Sequence, residues 1–440
     1  MPPGENPRSV GKVAMAGGQP GNSLRRGAAA HVLSRAVTMA LALGLLVVVA
    51  RLGPAVQGAF ALFVALESLL VTAGSGLALV LAREASAAGG RPPGLLHPVL
   101  RGALLLGAVC GLVFVAWASA SHAAPYSQLW LLGIAAPLLL VAPTVAGSWL
   151  GQGRVWALNA PAIAAPALVL TLVAGLALAD EATPGVTAVL AAWVLGKAAV
   201  GLLTGVVAMR EGPAVAAPPP ATPWWRRHAR FMALVALTNA VSLLNLRATL
   251  FLVERNHGLA AAGVYAVAVQ IAELLWVLSG ALTVAAYHRI AGDDEPAAAR
   301  MALRALRTGL ALALLAAPLL ALAGWWLLPV VLGPAYAAAR VPLLLLLPGV
   351  ALYAAASSLS AFHTNFHGRP QWAAGIAGLS LAVTLALAAV LVPRLGAAGA
   401  AMATSTGYTV AIVFALRGFL QRAGGWAALW GGAAAKRQSG

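Results

Sequence analysis

Along the chain, apolar residues gather in long unbroken runs separated by short polar segments, and show neither a narrow helical stripe nor period-two alternation. Each run is about 20 residues, the length that carries an α-helix across a bilayer. The pattern predicts spans over 30–50, 58–81, 99–119, 128–150, 157–179, 185–208, 230–252, 259–284, 308–329, 341–363, 371–392 and 396–417. A backbone in hydrocarbon must satisfy its own polar groups, so these runs have to be helices. The expected fold is an all-α polytopic membrane protein with twelve transmembrane helices. Residues 1–29 are polar, basic and rich in Gly and Pro, and read as a disordered cytoplasmic tail.

Composition agrees. Of 440 residues, 61% are hydrophobic and 9% charged, with a mean hydropathy of +0.89, whereas soluble domains carry about 25% charged residues. The net charge of +17 would suggest nucleic acid in a soluble protein. Its placement says otherwise. Counted from a cytoplasmic N-terminus, the tails and even-numbered loops hold 22 of the 28 Lys and Arg, and the opposite loops hold four, Arg51, Arg255, Arg340 and Arg394. The other two, Lys197 and Arg247, fall inside spans. This asymmetry is an orientation signal that puts both termini in the cytoplasm and leaves no case for nucleic-acid binding. Arg greatly outnumbers Lys and Ala is abundant, a bacterial composition, so the bacterial cytoplasmic (inner) membrane is the expected location. The lone Cys110 excludes an intramolecular disulfide.

Six spans return a chain to its starting side, and the sequence carries signs of a duplicated six-span unit. Gly53, Gly58 and Phe60 match Gly258, Gly263 and Tyr265 at a constant offset of 205. Gly153 and Arg154 in "GQGRVWA" match Gly368 and Arg369 in "FHGRPQWA", and "GVTAVLAAWVLG" aligns with "GAAGAAMATSTG". The implied organisation is a six-helix bundle over 30–209, a Pro-rich cytoplasmic linker over 210–229, a second bundle over 230–418 and an interfacial tail over 419–440.

Ionisable groups at membrane depth cost a few kcal/mol each, so those present are candidates for function. Glu67 in span two and Glu273 in span eight are such groups, in near-matching positions of the two halves, and are the expected ion-coupling residues for protons or sodium. The alternative for each is structural pairing with a neighbouring Arg or hydroxyl. Lys197 in span six and Arg247 in span seven suit an anion, Arg by bidentate hydrogen bonds and Lys as a point charge. Arg35 begins span one. Asn239, Ser242 and Asn245 recur at three-residue steps and form a polar stripe on span seven that suits sugar hydroxyls. Two histidines in "AFHTNFHG", His363 and His367, have helical spacing but no nearby carboxylate, and Asp180 and Glu181 read as a solvated turn. The short outside loops, with no phosphate-binding Gly-rich loop, nucleophile elbow or metal-ligand cluster, predict a non-enzyme without a cofactor or metal.

"LGPAVQGAFALF", "NLRATLFLVERNHGLAAAGVYAVA", "HGRP" and "LVPRLGAAGAAMATSTGY" together resemble the polysaccharide transporters, oligosaccharide flippases of the multidrug/oligosaccharidyl-lipid/polysaccharide exporter (MOP) superfamily. The resemblance spans residues 30 to 418. It implies two parallel six-helix bundles in a V around a central cavity that opens alternately to each side, and a polyprenyl-diphosphate-linked oligosaccharide moved from the cytoplasmic to the outer leaflet. Polysaccharide-assembly enzymes would be its partners. Lys197, Arg247, Asn239, Asn245 and Arg35 would then contact substrate. Where family members often carry an aspartate two positions after "NLR", this chain has Thr249. The related multidrug branch is the alternative, and would be expected to have an acidic, aromatic cavity.

Overall fold

The computed structural model describes residues 20–92, 94–179, 184–211, 223–276, 295–356, 359 and 370–422. Within them the chain is helical, and ten segments are long and apolar enough to cross a membrane. The first half runs through α1 (Pro20–Arg51), α2 (Pro54–Ala73), α3 (Ser75–Ala87), α4 (Leu96–Ser119), α5 (Leu129–Leu139), α6 (Val141–Gly151), α7 (Val155–Ala179) and α8 (Val186–Arg210). The second comprises α9 (Trp224–Ala272), α10 (Glu295–Leu327), α11 (Arg340–Ala355) and α12 (Pro370–Arg422). This is a multi-pass, all-helical membrane protein. Leu105, Leu112, Leu178, Leu314 and Leu322 stand exposed on its flanks, as lipid-facing side chains do.

Elements α9 and α12 contain 49 and 53 residues, more than one bilayer crossing requires. Each is broken at a glycine. Gly258 takes φ 80°, ψ 177° inside α9, and Gly396 takes φ 56°, ψ −131° inside α12. Such left-handed geometry is open to glycine at little cost and strained for other residues. The helices expected as spans seven and eight, and as eleven and twelve, therefore join with almost no loop. The helical assignment differs from the sequence reading elsewhere too. Spans two and four each divide in two, at Gly74 and at Leu140, the latter between Pro137 and Pro143. Helix α1 begins at Pro20, ten residues before the expected start, with proline at the first helical position, where its fixed φ and missing N–H are tolerated. Helix α12 likewise continues past residue 418 to Arg422. Most of the Pro-rich linker, Asp180 and Glu181, both histidines of 361–368 and residues 423–440 lie outside the described residues.

Two large hydrophobic clusters form the interior. One is built from Leu45 to Ala208; the other runs from Leu250 to Tyr408 and recruits Leu46, Ala50 and Leu62 from α1 and α2. The halves meet most tightly where α2 crosses the second arm of α9. A β-carbon on Gly58 would collide with the Leu259 carbonyl oxygen, and one on Gly263 with the Pro54 carbonyl oxygen. Adding 205 to Gly58 and Pro54 gives Gly263 and Leu259, so each glycine meets the other half's counterpart of the residue four before it, and the glycines matched in sequence are the glycines that touch. At the same face Arg51 donates to the carbonyl oxygens of Val331 (2.5 Å) and Val330 (3.3 Å), and the Tyr126 hydroxyl donates to Glu254 at 2.9 Å. Toward the opposite face α3 packs on the first arm of α9, where Asn239 donates to Ser75 at 3.0 Å and His228 stands 3.7 Å from Glu84.

Candidate functional site

Glu67 sits on the buried side of α2 with only 1% of its surface exposed. A carboxylate taken that far from water needs partners, and α8 supplies two. The Lys197 ammonium lies 2.5 Å from Oε1, and the Trp193 indole N–H donates to Oε2 at 2.8 Å. Trp193 and Lys197 are four residues apart, so they share a helix face, and the ammonium also stands 4.6 Å from the indole ring centre. Phe60 meets that ring edge-on at 5.1 Å. Glu67 is thus held by one salt bridge and one neutral donor, over a ring that attracts the cation from beneath.

This group lines a cavity of about 510 Å³ between α1, α2, α5, α6, α7 and α8. Most of its wall is apolar, from residues such as Leu139, Pro143, Pro161 and Val169, and its polar groups are few: Ser34, Arg35, Thr38, Asn159, Trp193, Glu67 and Lys197. Arg35 is exposed on that wall and has no carboxylate within salt-bridge distance among the described residues. With Glu67 and Lys197 cancelling, the wall keeps one net positive charge. An apolar pocket with a few convergent polar groups is the usual form of a small-molecule site.

The second deep glutamate is held differently. Arg247 on α9 binds Glu273 through two hydrogen bonds, 2.7 and 3.1 Å, in a bidentate fork. Arg247 lines a smaller cavity, about 260 Å³, on the seam between halves, together with Leu46, Phe60, Val64, Trp193, Tyr265 and Gln270. Trp193 therefore faces both cavities. Beside this pair, Thr249, Tyr265 and Thr404 form a closed set of hydroxyl hydrogen bonds of 2.9, 3.2 and 3.4 Å. Thr249, at the position where the resembling family often has an aspartate, is thus committed to packing α9 against α12.

Of the residues singled out in the sequence, Glu67, Lys197 and Arg35 come together on one cavity, and Arg247 pairs with Glu273 on the other. The span-seven stripe does not converge on either. Asn239 is engaged by Ser75, Ser242 donates back to the Thr238 carbonyl oxygen at 3.0 Å, and Asn245 is buried. Their three-residue step drifts around the helix, so the three side chains meet different neighbours. Trp193 and Asn159 are site residues that the sequence reading missed. The four-residue spacing of Trp193 and Lys197 was the available signal.

No protein-family model matches the sequence, and no curated protein resembles it at a significant level. Solved structures do resemble the fold. A multidrug resistance MATE family transporter of the MOP superfamily in its inward-facing conformation superposes with a TM-score of 0.69 at 16% identity, covering 88% of this chain and 94% of that one. The outward-facing conformation of a transporter of that description gives 0.61 at 17% identity over 92% and 96%. The lipid II flippase MurJ, in an inward closed conformation, gives 0.67 at 12% identity over 89% of each chain. The chain has the fold of the MOP superfamily transporters, the superfamily its sequence motifs resemble.

Proposed function

We propose that this protein is a flippase that moves a polyprenyl-diphosphate-linked oligosaccharide, a cell-surface polysaccharide repeat unit, from the cytoplasmic to the outer leaflet by alternating access. The observation that carries this reading is the charge of the larger cavity. Glu67 and Glu273 are both already neutralised by a basic partner, and Arg35 leaves the wall of the larger cavity net positive. A site of that sign suits a diphosphate and repels a cationic drug. The apolar remainder of the wall suits the isoprenoid beside it.

In this reading two duplicated six-helix halves, 30–209 and 230–418, rock about the Gly58–Gly263 crossing. Both termini are in the cytoplasm of a bacterial inner membrane. The contacts of Arg51 and Tyr126 close the outer face, so the structure is the cytoplasm-facing, loading state. Lys197 and Arg35 receive the diphosphate, Arg247 lines the path along the seam, and Asn239 and Asn245 are reached by the glycan only after the halves move. The basic cytoplasmic loops are available to polysaccharide-assembly enzymes.

The second reading, a cation-coupled multidrug exporter, draws its support from the likeness to MATE transporters. One experiment separates the two. In cells lacking the protein, the flippase reading expects the diphosphate-linked glycolipid to accumulate in the cytoplasmic leaflet, with rescue by wild type and not by Lys197→Ala. An unchanged glycolipid pool with altered sensitivity to cationic drugs would transfer the protein to the exporter branch.

A further inference from the structure

We propose that a third cavity, apart from the two around Lys197 and Arg247, binds one anionic phospholipid, whose headgroup phosphate meets Arg101 and Arg226 and whose acyl chains run along the exposed face of α4. The site does not depend on which substrate the protein moves, so it is independent of the flippase reading.

This cavity, of about 470 Å³, is walled by α3, α4 and the start of α9. It shares no lining residue with the other two. Helices α3 and α4 belong to the first half and α9 to the second, so a ligand here touches both. Two glycines let the halves come this close. A β-carbon on Gly76 would stand 2.6 Å from the α-carbon of Met232, and one on Gly102 would stand 2.9 Å from the Trp224 ring. Trp224 therefore packs on α4, and Trp225 beside it is half exposed.

Charge is the first guide to the occupant. Arg101 lines the cavity, is exposed, and has no carboxylate within salt-bridge distance among the described residues. The Arg226 guanidinium stands 5.1 Å from the centre of the Trp225 ring, which also lines the cavity, so a second exposed cation borders the same wall. It too has no carboxylate partner among the described residues. No side chain caps the start of α9, so the positive end of its dipole adds to the same sign. Guanidinium groups bind phosphate oxygens through paired hydrogen bonds, and indoles favour the headgroup level of a membrane.

The second guide is an apolar track. Leu105 in the cavity is followed at helical spacing by Val109 and Leu112, all three exposed. From Arg101 to Leu112 the helix rises about 16 Å at 1.5 Å per residue, about the depth of one hydrocarbon leaflet. A soluble anion would use the arginines and leave that track bare, whereas an acyl chain covers it. A zwitterionic lipid fits the track but carries, beside its phosphate, a cation that Arg101 and Arg226 repel. The two features together fit a lipid of net negative charge, drawn from the leaflet on this side, which is cytoplasmic in the orientation proposed above.

The test is native mass spectrometry of the full chain in detergent with dioleoylphosphatidylglycerol or dioleoylphosphatidylcholine, which share their acyl chains and differ in headgroup charge. One phosphatidylglycerol should be retained per chain, favoured over phosphatidylcholine by about thirtyfold, or about fivefold for each arginine. Arg101→Gln with Arg226→Gln should bring that ratio close to one. Both residues are exposed, so the double variant should fold as wild type does. Arg210→Gln, which removes an exposed arginine at the end of α8, should leave the ratio unchanged. Equal retention of the two lipids by wild type, or a preference that survives the double variant, overturns the inference. Displacement of the lipid by excess inorganic phosphate overturns it too, because the site would then answer to a free anion. None of these outcomes bears on the flippase reading, which is decided by the glycolipid pool.

Discussion

Each half of the molecule pairs a glutamate inside a span with a cation, Glu67 buried and Glu273 partly buried, and the two pairs are built to different ends. Glu273 and Arg247 share two parallel hydrogen bonds in a plane, a geometry that fixes both side chains and leaves the guanidinium committed. Glu67 and Lys197 share a single contact, supported by an indole. Arginine cannot give up its proton and loses two bonds if it turns away, whereas lysine loses one and can re-aim. The fork is suited to joining the first arm of α9, which carries Arg247, to the end of its second arm at Glu273, and the point contact to exchanging partners. Two pairs of the same charge type do not thereby share one duty.

The comparison is most sharply broken at Lys197. Lys197→Met leaves a buried carboxylate without its cation and is expected to cost about 3–5 kcal/mol. Thermal unfolding in detergent should show a large drop, and Glu67→Gln with Lys197→Met should recover most of it. Recovery distinguishes a lost charge from a lost shape. Next, Arg247→Lys keeps the charge and removes the fork; about 2–3 kcal/mol should be lost, the value of hydrogen bonds to charged groups. A smaller penalty there would mean that the bidentate geometry matters less than its plane suggests. Trp193→Phe removes the indole N–H but keeps a ring beneath Lys197. A loss of about 1.5 kcal/mol is expected by the same measurement. The smallest effect lies outside both pairs. Tyr126→Phe removes one hydrogen bond of the face that joins the halves, worth about 1 kcal/mol. Its signature is a shift of population toward the outward-open state, read as distances between spin labels placed on the two halves after Cys110→Ala.

Helical spans were legible because the bilayer imposes a length on them, and the glutamates stood out because charge is rare in those spans. The glycines matched at an offset of 205 were legible too, and Gly58 and Gly263 lie against the carbonyl oxygens of Leu259 and Pro54. Who pairs with whom was not legible. Lys197 lies 130 residues from Glu67, and nothing local to either residue encodes the other. For the same reason the sequence counted Lys197 and Arg247 as available cations, when each is occupied by a glutamate. Arg35, expected at the start of span one and among the substrate contacts, is the residue left with an uncompensated charge on the cavity, with no carboxylate within salt-bridge distance among the described residues. The stripe on span seven failed because a shared spacing was taken for a shared neighbour.

The joints at Gly258 and Gly396 bear on more than the path of the chain. Each turns two spans at one residue, on the face proposed to meet the cell exterior. A protease needs several residues of extended chain to engage, and an antibody needs a raised epitope. These two turns offer neither. On intact cells they should escape digestion and immune detection alike, and an epitope tag inserted at either glycine should be poorly tolerated compared with one at a terminus.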